Sequence, residues 1–124
     1  AARLSAAADR SEVELAVTGR VGAAYVGVLG TASPKHLRAW VAVGDRSLVD
    51  VAAALGLEPA PDEAANVVLS NDKWRVGVTR RHYERFDAFT AWAAHPVRIW
   101  CDLHDEQRGA EYAAQMWSVV THGD

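Results

Sequence analysis

Residues 101–105, Cys101-Asp102-Leu103-His104-Asp105, hold four groups able to ligate a metal ion within five positions. A helix brings residues three and four apart onto adjacent turns, so Cys101 would meet His104 and Asp105. The competing reading makes Cys101 a small hydrophobe on the stripe of Trp100 and Asp105 the cap of the next helix. That second reading is adopted, so no metal and no cofactor are expected. Cys101 is the only cysteine, which excludes an intrachain disulfide and a multi-cysteine zinc site. His36, His82, His95, His104 and His122 follow no HxH or HExxH spacing. No GxSxG nucleophile elbow occurs, and Gly19, Gly22, Gly27 and Gly30 form neither a phosphate loop nor a dinucleotide fingerprint. No residue is therefore assigned a catalytic role, and a non-enzymatic protein is expected.

Charge and aromatic residues suggest contacts instead. Residues 79–85, Thr-Arg-Arg-His-Tyr-Glu-Arg, form the one basic run, with Lys73 and Arg75 just before it. Phosphates attract such clusters, and a tyrosine among them has a face on which a base can stack. Lys73, Arg75, Arg80, Arg81, Tyr83 and Arg85 are the candidate nucleic-acid contacts. Against them stands a net charge of −3, whereas nucleic-acid-binding domains are normally basic. Of five tryptophans, Trp40 and Trp92 face away from the apolar sets of their strands. Either both sheet faces are covered, or these rings anchor a partner. Trp40 and Trp74 are the candidate partner contacts.

The elements that must position these groups follow from periodicity. Residues 12–17 alternate polar and apolar, the mark of a half-buried strand. Thr18 offers a helix cap, and Val21, Ala24, Tyr25 and Val28 stack on one helical face. Residues 37–43 alternate again. Asp45 is the expected cap of a helix with Leu48, Val51, Ala52 and Leu55 on its apolar stripe, and Gly56-Leu57 resembles a Schellman ending. Residues 66–69 and 74–78 predict a hairpin around a four-residue loop, followed by a polar irregular stretch to Asp87 and a strand carrying Phe89, Ala91 and Ala93. Pro96 suits the first turn of a helix whose shared face is Val97, Trp100, Cys101 and His104. A final helix carries Tyr112, Gln115, Met116 and Val119. With 124 residues, half of them hydrophobic, the chain suits one domain. The expected class is mixed α/β (α+β): a sheet of about five strands flanked by about four helices. No run of about 18 apolar residues is present, and a cytoplasmic protein with no membrane contact is expected. The only methionine is Met116, so a fragment or processed product is expected.

The order of these segments resembles the C-terminal domain of the AbiEi family, the antitoxin and transcriptional-regulator half of type IV toxin–antitoxin systems. The likeness spans residues 12–117. It rests on Ala64-Ala65-Asn66-Val67 where the family has GANV and on residues 95–103, HPVRIWCDL, where it has SPVQLYLDL. The third match is residues 108–114, RGAEYAA, beside its RGEEAA. The resemblance implies a regulatory domain that assists autorepression and counters a nucleotidyltransferase-like toxin, beside an N-terminal winged helix for which this chain has no room. It also suggests that Arg108 and Asp102 form a structural pair between helices. The alternatives are a nucleotidyltransferase-like or nuclease-like enzyme, which lacks the clustered carboxylates of two-metal chemistry, and an aromatic-pocket reader of modified DNA or another ligand.

Overall fold

Alternation along the strands sorts the apolar residues into two sets on opposite faces of one sheet. Leu15, Val17, Ala39 and Val41 pack with Leu4, Ala8, Val51 and Leu55, whereas Ala16, Ala91 and Ala93 pack with Ala23, Ile99, Leu103, Tyr112 and Met116. The structure is a computed structural model describing residues 2–27, 36–58, 60, 66–73, 75–85, 89–106 and 109–121, without the side chains of 2, 85, 89, 109 and 118–121. Its elements run α1 (Ala2–Arg10), β1 (Leu15–Thr18), α2 (Gly19–Tyr25), β2 (Leu37–Val41), α3 (Leu48–Ala54) and β3 (Val67–Asn71). A 3-10 turn (Val76–Thr79), β4 (Arg81–Arg85), β5 (Phe89–Ala93), α4 (Pro96–Leu103) and α5 (Gly109–Thr121) follow. The strand order is β3-β2-β1-β5-β4. β1 pairs antiparallel with β2 and parallel with β5; β2–β3 is parallel and β4–β5 antiparallel. The fold is mixed α+β, as expected, with α1 and α3 on one face and α2, α4 and α5 on the other. None of the described helices is long and apolar enough to cross a membrane.

Local chemistry explains both the agreements and the departures. α3 ends as its sequence reads: Gly56 adopts a positive φ of 78°, Gly56 N–H donates to Ala53 and Leu57 N–H donates to Ala52. Its cap is Ser47 rather than Asp45, the Ser47 hydroxyl accepting from Asp50 N–H at 3.1 Å. The hairpin over residues 66–69 and 74–78 does not form. β3 pairs with β2 instead, because the Asp72 carboxylate accepts from Val76 N–H at 2.7 Å and Gly77 N–H at 2.8 Å and winds the chain into the 3-10 turn. Arg75, at φ 56°, turns left-handed immediately before it. The stretch expected to be irregular is β4, which pairs with β5 from Arg81–Ala93 to Arg85–Phe89. Five described helices replace the four expected. The additional one, α1, is alanine-rich and nine residues long, too short to persist alone; burial of Leu4 and Ala8 holds it.

The register of α4 also departs from expectation. Of the face carrying Val97, Trp100, Cys101 and His104, Val97 (45% exposed), Cys101 and His104 turn outward, and Trp100 is half-buried against the core. Pro96, Ile99, Asp102 and Leu103 are buried instead. A carboxylate therefore occupies the core-facing stripe.

Candidate functional site

Asp102 is fully buried, and three elements converge on it. The Thr18 hydroxyl donates to Oδ2 at 2.6 Å from the end of β1, and the Trp40 indole N–H donates to the same oxygen at 2.8 Å from β2. Arg98, one turn earlier on α4, donates to Oδ1 through Nε at 2.9 Å and Nη2 at 2.5 Å. Arg38 Nη1 bridges the Asp102 carbonyl at 3.0 Å and Glu106 Oε1 at 3.1 Å. A buried charge persists only where donors replace its water, and here both carboxylate oxygens are supplied. The same contacts hold the Arg98 pKa above its ordinary value, chiefly through the hydrogen bond to Asp102 and against the opposing effect of burial.

The centre uses its neighbours for structure. Thr18 is the backbone cap of α2, yet its side chain makes no capping bond; the hydroxyl serves Asp102 instead. Gly19 has φ +67° and lies where any Cβ would collide with Glu106, so the turn from β1 into α2 tolerates only glycine comfortably. Trp40, a sequence candidate for partner contact, is half-buried, with its N–H on Asp102 and the Arg98 guanidinium 5.0 Å from its ring centroid. Helical geometry also separates the four candidate ligands of residues 101–105. Asp102 points inward while Cys101, His104 and Asp105 are exposed, and no three metal-ligating groups converge among the described residues.

Arg81–Arg85 of the basic run form β4, an outer strand of the sheet, and Arg80 immediately precedes it; the basic residues divide by environment. Arg81 is exposed, its guanidinium 3.3 Å from His95 Nε2. Lys73 and Arg75 are also exposed. Arg80 is committed: Nη1 donates to the Leu15 carbonyl at 2.9 Å, and the guanidinium sits 3.9 Å from the Trp92 ring centroid. Tyr83 packs against the core, and its hydroxyl is buried without a hydrogen-bond partner among the described residues, so its ring is not a free stacking platform. The Arg85 side chain and Trp74 lie outside the described residues.

Arg80 fills a gap in the sheet. Ala94 N–H donates to the Val17 carbonyl at 2.8 Å, and a continuous parallel ladder would next join Trp92 N–H to the Leu15 carbonyl. Instead Trp92 N–H donates to Ser5 Oγ at 3.2 Å, and the Leu15 carbonyl accepts from Arg80. One rung is thus replaced by two side chains. Asp9 accepts from the Trp92 indole N–H at 3.0 Å and ties α1 to the same point.

His95 links the edge to α4. Its Nδ1 accepts from Val97 N–H at 3.1 Å and caps the helix ahead of Pro96. Burial, and then the nearby Arg81 charge, push its pKa below the ordinary value, favouring the neutral ring that the cap requires.

Sequence reasoning missed the Asp102 centre, although one signal was present: Arg98 and Asp102 stand four residues apart on a helix, the spacing of an ion pair. The pair suggested with Arg108 lies outside the described residues. No protein-family model matches this chain, and no curated protein or solved structure matches it either.

Proposed function

We propose that this chain is a non-enzymatic regulatory and interaction domain, of the kind an AbiEi-like antitoxin or transcriptional regulator carries, and that it contacts DNA phosphates through its basic edge. The observation that carries the reading is the exposure of Arg81 on β4, with exposed Lys73 and Arg75 on the segment leading to it. Solvated guanidinium and ammonium groups displace counterions from a phosphate backbone at little desolvation cost. The engagement of Asp102 by Thr18, Trp40 and Arg98 supports a structural use of this fully buried carboxylate.

Fluorescence anisotropy with a short labelled duplex tests this reading between about 50 and 200 mM salt. Wild type binds with an affinity that falls steeply as salt rises. Arg75→Glu with Arg81→Glu weakens binding and flattens the salt dependence, while the circular dichroism spectrum is unchanged. Equal affinity for wild type and this variant removes the basic edge as the contact.

A further inference from the structure

A cleft on the opposite face of the sheet lies between α1, the end of α3 and the first residues of β2 and β3. It measures about 580 Å³, within the range of small-molecule pockets. Leu37, Leu55, Leu57 and Val67 contribute an apolar wall, and three of them (Leu37, Leu57 and Val67) are only partly covered by the core against which they pack. Arg3, Ala7 and Arg10 border it from α1, and positions i, i+4 and i+7 share one helical face. Both arginines are exposed, and neither has an acidic partner among the described residues. No carboxylate is among the described residues that border the cleft.

We propose that this cleft binds a small amphiphilic anion, an acyl chain or comparable apolar body carrying one carboxylate. The apolar wall removes the chain from water, and the arginines on that helical face receive the head group, the planar fork of a guanidinium being suited to paired N–H donation to carboxylate oxygens. A compact inorganic anion would leave the wall uncovered, and a neutral amphiphile would leave both cations unanswered. The site is separate from the basic edge, so it stands or falls independently of DNA contact.

The probe is decanoate, below its micelle concentration, titrated into the full chain and followed by amide chemical shifts. Saturable shifts are expected at Ala7, Gly56, Leu57 and Val67, with decanol binding about tenfold more weakly because it lacks the charge-assisted bonds. Arg3→Gln with Arg10→Gln brings the two probes to the same affinity. Ala6→Trp, at an exposed lining position, blocks both while the remaining spectrum is retained. Decanol binding as tightly as decanoate to wild type overturns the proposal, as do shifts that map elsewhere or fail to saturate. Binding to phosphatidylglycerol vesicles without any response to free decanoate also overturns it, because the surface would then be a membrane contact.

Discussion

The Asp102 centre and the β4 edge are built from the same kinds of side chain and use them oppositely. Around Asp102, charge is withdrawn from water and matched donor to acceptor across β1, β2 and α4. Along β4, Arg81 remains in solvent, while Arg80 one residue earlier is drawn into the sheet to serve the Leu15 carbonyl. A charged residue thus gains a structural or an interactive role from its surroundings, and neighbours in sequence can receive different ones. The first kind is costly to break because a buried partner is stranded; the second is cheap to alter because water replaces the lost contact.

That contrast ranks the expected effects of substitution. Asp102→Ala strands the Arg98, Trp40 and Thr18 donors and should cost about 3–5 kcal/mol, lowering Tm by about 10–20 °C in thermal denaturation. A loss below about 1 kcal/mol would make the centre no more consequential than a surface pair. Gly19→Ala should cost about 1–3 kcal/mol, since a positive φ is strained for alanine and the Cβ would displace Glu106. Urea unfolding of Gly19→Ala measures that cost, and an unchanged midpoint would mean that the turn relaxes freely.

Arg80→Ala sharpens the comparison further, because it removes the partner of the Leu15 carbonyl. About 1–3 kcal/mol of stability should be lost, whereas Arg81→Ala stays within about 0.5 kcal/mol of wild type. In duplex binding the ranking reverses, with Arg81→Ala the more damaging. If Arg80→Ala proves harmless to folding and the more harmful to binding, the distinction between the two regions collapses.

The smallest effect is the pH dependence at His95. Its folded pKa lies below the ordinary 6.5, so the unfolded chain binds more protons between the folded value and 6.5. The contribution of the cap is complete above about 6.5 and declines as pH falls toward the folded pKa. His95→Asn keeps a capping oxygen and should flatten this segment of the stability profile. An identical slope in the variant would place the titration elsewhere.

Much of the architecture was legible where a local rule acts without competition. The alternation of residues 12–17 and 37–43 marks β1 and β2, and Gly56-Leu57 closes α3 as a Schellman ending. Reading failed where a side chain outcompeted the pattern. The Asp72 carboxylate captured two backbone N–H groups and replaced a strand with a turn, and Asp102 displaced Cys101 from the inward face of α4. For the candidate site, composition identified the basic run but not the separation of Arg80 from Arg81. Trp40 was recognised as facing away from its strand's apolar set, and the covered opposite face, rather than an exposed anchor, accounts for its position.

Periodicity, caps and glycines determined by themselves that this chain forms a mixed sheet with helices, because those signals act over a few residues and need no distant partner. Only the tertiary structure decided which charges are buried and which remain available. That choice depends on donors contributed from positions as far apart as Thr18, Trp40 and Arg98, whose convergence no local pattern encodes.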